Sequence, residues 1–202
     1  MAFLYRFLFF IIGLFIMTFG VCLTIKANLG AGAWDALNVA LTRWVGLTIG
    51  TWVMIAGGVL IIVNAILLRK RPELLSVITF VVIGSMIDFW MSNVFGNLQG
   101  GHFIVKLGAL ILGLAIIGFG ASIYLQAKFP LNPIDNFMMA IKKRLSVNLM
   151  VAKTIGEVVA LIPALLLKGP IGVGTIIITF AVGPFIQLFF PYFEKLMQKL
   201  EA

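Results

Sequence analysis

The sequence is poor in charge. Of 202 residues only 11% are charged, against 62% hydrophobic, and the mean hydropathy is +1.15. A water-soluble domain carries roughly 25% charged residues to cover its surface, so this composition excludes one. Histidine and cysteine number one each. The lone Cys22 excludes an internal disulfide and, inside an apolar run, reads as a small packing residue. The lone His102, in a polar loop, leaves no Ser-His-Asp arrangement and no zincin helix. Zinc spacings, Walker loops and dinucleotide fingerprints are missing too. The chain is therefore expected to be no enzyme, and to need no cofactor or metal. Seven acidic residues face fifteen basic ones, a formal charge of +8. That excess does not indicate nucleic acid, because the basic residues fall in loops between apolar runs, where topology signals of membrane proteins lie.

What the chain has in abundance is long apolar runs. A bilayer crossing takes about 20 apolar residues. Six runs qualify: Phe7 to Ile25, Thr48 to Leu68, Leu75 to Phe95, Phe103 to Gln126, Asn148 to Leu167 and Thr175 to Phe190. They predict an all-α polytopic protein with six transmembrane helices in a single membrane domain over residues 1–202. The first run is too long for the apolar core of a signal peptide. Two further runs, about Ala33 to Val45 and Asp135 to Leu145, are too short to cross. Each follows a break, Leu29 to Asp35 (L-G-A-G-A-W-D) or Phe129 to Asp135 (F-P-L-N-P-I-D). Each reads as a half-helix, re-entrant or lying at the interface; Asp35, Asn38 and Thr42 give the first one a polar face. Gly96 to His102 forms a polar loop, and Pro191 is expected to begin a short amphipathic tail.

The chain repeats itself at an offset of one hundred. Gly13 matches Gly113, Leu14 matches Leu114, Phe19-Gly20 matches Phe119-Gly120, and Asp35 matches Asp135. Further on, Ala40 pairs with Ala140, Ile55 with Ile155 and Val59 with Val159. Then the register slips by one, so that Gly84 matches Gly183. Glycine and aspartate matches weigh most, since apolar residues coincide readily by chance. The halves are residues 7–95 and 103–192. Each holds three crossings and one short broken helix. An odd number of crossings makes the second half enter from the opposite side, an inverted-topology repeat. Loop charges agree: Arg6, Arg69, Lys70, Arg71, Lys128, Lys142, Lys143, Arg144, Lys195 and Lys199 fall on one side, and Lys26, Arg43, Lys106 and Lys168 on the other. The richer side is cytoplasmic, so both termini are expected on the cytoplasmic side of the bacterial cytoplasmic membrane.

Candidate site residues follow from the breaks and from charges inside spans. Asp35 and Asp135 open the two short helices. Each is either an N-cap or part of a solute or ion site at the broken helix ends, and one residue can be both. Gly30 and Gly32 permit close backbone approach. Asn132 adds an amide. Trp34 reads equally as an interfacial anchor or as a surface for a ligand. Lys153 and Glu157 stand four residues apart inside a span, so they share a face and can pair. Such charges cost roughly 2.5–3.5 kcal/mol each near the bilayer centre. Their first-half counterparts are Val53 and Gly57, so the pair belongs to one half only. It serves ion coupling or substrate charge recognition, or else Lys153 snorkels to the surface with Glu157 neutralised beside it. Asp88, matched by Gln187, faces protein rather than lipid, in a structural role or as part of the site.

The stretch L-T-I-K-A-N-L-G-A-G-A-W-D-A-L-N (Leu23 to Asn38) resembles the YitT/YczE-like family of bacterial integral membrane proteins. The resemblance extends to L-T-I-G-T-W (Leu47 to Trp52), N-A-I-L-L-R-K-R-P (Asn64 to Pro72) and I-D-F-W (Ile87 to Trp90). It covers most of the first half closely and the second more loosely, which departs from the G-x-G-x-W-D pattern and has proline at Pro130 and Pro133. It implies a bacterial cytoplasmic-membrane protein.

The leading functional expectation is a small secondary transporter or permease for a small polar or charged solute, with a coupling ion and a homodimer both compatible. Two alternatives stay open. One is a substrate-binding subunit of an energy-coupling transporter, which would co-purify with an ATPase. The other is a non-transporting membrane partner that regulates another protein.

Overall fold

Breaks, caps and prolines set the helix ends. The computed structural model describes residues 2–96 and 101–201, so part of the expected polar loop, 97–100, lies outside the described residues. Among the described residues all regular structure is helical: α1 (Ala2–Lys26), α2 (Ala33–Val45), α3 (Ile49–Leu68), α4 (Ser76–Asn93), α5 (Phe103–Tyr124), α6 (Pro133–Leu145), α7 (Leu149–Leu166) and α8 (Val173–Glu201). A 3-10 turn, Leu125–Ala127, prolongs α5. Six helices are long and apolar enough to cross a membrane. The other two, α2 and α6, have 13 residues each, too few to span. Large apolar side chains point outward from the spans: Ile66 is 70% exposed and Ile104 81%. Helices apolar on every side belong in lipid, where such exposure costs nothing.

The same local devices occur twice. Thr48 caps α3, accepting from the Thr51 N–H at 3.1 Å, and Asn148 caps α7, accepting from the Val151 N–H at 2.9 Å. Left-handed residues recur at the expected spacing. Asn28 and Lys128 follow the first helix of each half, Gly46 and Ser146 the short helix, and Arg69 and Lys168 the third. The C-terminus departs from expectation. Pro191 starts no separate tail, because α8 runs unbroken through Pro184 and Pro191. Proline removes one helical N–H and crowds the preceding turn, but no glycine or cap accompanies Pro191 to stop the helix, and apolar membrane helices absorb such a lesion.

Packing gathers the chain into two compact units. The first comprises Met1–Gly32, Met86–Phe129 and Pro170–Ala202. Its centre is a backbone-close pairing of α1 with α5. A Cβ on Gly20 would lie 2.7 Å from the Gly113 carbonyl oxygen, and one on Gly120 2.8 Å from that of Gly13. Glycine is what allows this approach. Since Gly13 faces Gly120 while Gly20 faces Gly113, the two helices run antiparallel. Arg6 Nε lies 2.6 Å from Glu201 Oε1, which places the start of α1 and the end of α8 at one end of this unit. Cys22 is buried, with Sγ 3.7 Å from the Ile87 carbonyl oxygen, the packing role expected of it.

The second unit comprises Ala33–Ser85 and Pro130–Gly169. Here α2 packs on α7, and α6 on both α3 and α7, around Leu60, Phe137, Ile141 and Ala152. Gly57 of α3 faces Phe80, whose Cγ would lie 2.6 Å from an added Cβ. That contact leaves no room on α3 for a side chain like Glu157, its counterpart on α7.

Candidate functional site

The two broken stretches deliver their helix N-termini to one helix. A helix start carries N–H groups without partners inside the helix. In the second unit the Glu157 carboxylate, on α7, interacts favourably with the N–H of Ala33, the first residue of α2. One turn earlier on α7, Lys153 attracts both Glu157 and Asp135 of α6, while Asp35 of α2 is repelled by Glu157. Trp34, Asp135, Lys153, Gly156 and Glu157 line a cavity of about 50 Å³ together with Ile134, Phe137 and Met138. The charged groups are all half-buried. Trp34 stands edge-on to Phe137, with ring centroids 6.2 Å apart at 89°, so its indole belongs to the helix packing around the cavity.

Neither aspartate is the N-cap. Asn132 caps α6, its Oδ1 accepting from the Ile134 N–H at 3.3 Å. The helix starts two residues before Asp135 because Pro133 takes its first position, where the fixed φ suits and the missing N–H is not needed. Asp35 is likewise the third residue of its helix, and the acceptor at that helix start comes from α7. Both aspartates still meet the positive end of a helix dipole from within the first turn.

Trp34, Asp35, Asn132, Asp135, Lys153 and Glu157 thus fall in one unit. Gly30, Gly32 and Asp88 belong to the other. Gly30 has φ +116°, and a Cβ there would lie 2.6 Å from the Gly172 nitrogen. Its freedom serves a tight turn against that loop. Gly32 is the last residue before α2. Asp88 is half-buried on α4, with its carbonyl oxygen accepting from Ser92 Oγ at 2.8 Å.

Sequence reasoning missed two supports of the α6 start. Buried Asn64 donates from Nδ2 to the Pro133 carbonyl at 3.0 Å, and buried Thr79 donates to that of Pro130 at 2.7 Å. They satisfy carbonyls in the broken stretch that no helix can reach. The available signal was a polar side chain inside an apolar run, which turns toward protein. Among the described residues no group of three or more His, Cys, Asp and Glu side chains is placed to hold a metal ion.

Residues 4–191 match the family of unknown function DUF6198, and the chain belongs to that family. It is 36% identical over 190 residues to the uncharacterized protein YyaS of Bacillus subtilis, covering 94% of each chain. It is 31% identical over 196 residues to the uncharacterized membrane protein YczE of the same organism, covering 95% of this chain and 88% of YczE. An uncharacterized protein of Haemophilus influenzae is 27% identical over 86 residues, 43% of this chain and 39% of that one. No solved structure matches. The YczE-like resemblance is borne out, and with six spanning helices the chain is a multi-pass membrane protein.

Proposed function

We propose that this member of the family is a small secondary transporter or permease, moving a small polar or charged solute across the bacterial cytoplasmic membrane by alternating access of two inverted repeats. The observation that carries the proposal is the meeting of the α2 and α6 N-termini on α7, at Lys153 and Glu157. Broken helices whose N-termini converge inside a bundle offer N–H groups and a favourable dipole to a polar solute without exposing backbone to lipid. The antiparallel run of α1 and α5 and the doubled set of left-handed turns support the inverted repeat. The Arg6–Glu201 ion pair supports termini on one side, which the basic loops assign to the cytoplasm.

In this reading Asp35, Asp135 and Trp34 surround the solute, and Lys153 with Glu157 selects its charge or couples an ion. Asn132 fixes the α6 start. Gly30 and Gly32 form the turn that admits α2, and Asp88 has a supporting role. The chain acts without an enzymatic step, alone or as a homodimer, in contact with lipid and not with nucleic acid. At about 50 Å³ the cavity suits a water molecule or an ion, so a larger solute requires a second conformation. The test is a thermal-shift screen of small solutes, followed by flux of each hit into liposomes. Glu157→Gln and Asp35→Asn are expected to lower flux at least tenfold, with Lys195→Gln unchanged. Unchanged flux in both site variants overturns the assignment. Flux that requires a co-purified ATPase replaces it with the binding-subunit reading.

A further inference from the structure

The second unit holds a much larger cavity, of about 680 Å³, between the C-terminal ends of α3 and α6. Lys70, Arg71, Lys142 and Lys143 line it, with Glu73 as the one carboxylate. Two helix C-termini explain why cations are tolerated there. They do not explain four around one concavity, where like charges repel. Glu73, whose Oε2 accepts from the neutral Asn136 Nδ2 at 3.0 Å, keeps its charge but offsets only one of the four cations, so a cationic excess remains.

The inner wall adds two constraints. Ile61, Ala65, Met139 and Val147 make it apolar. Asn64 also lines it, 8% exposed, with Nδ2 committed to Pro133 and Oδ1 buried without a partner. A buried acceptor calls for a donor. The occupant is therefore anionic at the rim, carries a hydroxyl, and tolerates apolar surroundings.

We propose that this cavity binds a phosphate-bearing anion, held by Lys70, Arg71, Lys142 and Lys143 and donating a hydroxyl to Asn64 Oδ1. A terminal phosphate carries close to two charges near neutral pH and a phosphodiester headgroup one, each with several acceptor oxygens, and lysine and arginine both serve as their partners. The hydroxyl is the group's own P–OH or one on an attached glycerol. A phospholipid headgroup and a soluble phosphate share this chemistry. The cavity opens at the end of the α3 span, at the depth where headgroups lie. The inference stands apart from the transport reading, since none of its residues belongs to the Lys153–Glu157 site.

The protein is reconstituted into phosphatidylcholine nanodiscs and binding is followed by native mass spectrometry and thermal shift. One arm adds phosphatidylglycerol; the other adds inorganic phosphate or glycerol phosphate. Saturable binding is expected in at least one arm, weakened by salt. The pairs K70Q/R71Q and K142Q/K143Q should each weaken it about tenfold by removing two phosphate partners. Met139→Trp, which fills the cavity and keeps every charge, should weaken it as well. The control pair K195Q/K199Q, of equal charge change, should not. The arm that responds identifies lipid or solute as the source. Absence of saturable binding in both arms, or equal weakening by the control pair, overturns the proposal.

Discussion

The Glu157 carboxylate interacts favourably with the Ala33 backbone N–H. One residue lies in a spanning helix of the second half, and the other opens the short helix of the first. The halves exchange partners elsewhere in the same unit, with α2 on α7 and α6 on α3. A helix start that lacks its own side-chain cap is completed by a distant helix.

That interaction has a measurable share in stability. Hydrogen bonds to charged groups contribute about 1.5–3 kcal/mol, and the half-buried setting of Glu157 argues for the lower end. Glu157→Ala should destabilise the protein by about 1–2 kcal/mol, read as thermal unfolding in detergent. Glu157→Gln keeps an acceptor and should cost less than half as much. Equal losses would mean that the interaction with Ala33 contributes nothing.

Lys153 lies between two carboxylates of different helices, Glu157 and Asp135. Lys153→Met should therefore be more damaging alone than in combination with Glu157→Gln. A double-mutant cycle should return a coupling of about 0.5–3 kcal/mol. Additive effects would show that Lys153 is neutralised elsewhere.

The α1–α5 contact predicts a contrast between glycines. Gly20→Ala drives a methyl group into the Gly113 carbonyl and should cost about 1–3 kcal/mol by overpacking. Gly108→Ala, on the same α5, meets nothing within 4 Å and should be neutral or stabilising by up to about 1 kcal/mol through helix propensity. Midpoints of thermal unfolding for the two variants decide this, and equal shifts would contradict the antiparallel pairing.

The proline break before α6 depends on two donors from other helices. Asn64→Leu leaves the Pro133 carbonyl without its donor, and Thr79→Val does the same to Pro130. Each should destabilise by about 1–3 kcal/mol. Together they should raise the reactivity of a cysteine placed at Asn132 toward a water-soluble maleimide. Unaltered reactivity would mean that the stretch is held by its prolines alone.

Much of the architecture was legible because it rests on local chemistry. The length and polarity of each run announced six spans and two short helices, and α2 occupies Ala33–Val45 as the glycine break before it required. Glycines and aspartates recur at an offset of one hundred, and two pairs of left-handed residues keep that spacing while Arg69 and Lys168 fall one residue short of it. Local reasoning erred where a single residue had two uses. Asp35 and Asp135 read as caps, as parts of the site, or as both; the cap half of that reading fails for Asp135, because Pro133 moved the helix start upstream to Asn132, and Asp35 is the third residue of its helix.

The sequence by itself determined that this is a helical membrane protein with two broken stretches, because run length, helix breakers and charge act over a few residues. Only the tertiary structure decided which side chains serve those stretches. Asn64 and Pro133 are 69 residues apart, and Glu157 is 124 positions from Ala33. A hydrogen bond needs two atoms within about 3 Å, and such proximity follows from how helices pack rather than from where residues stand along the chain.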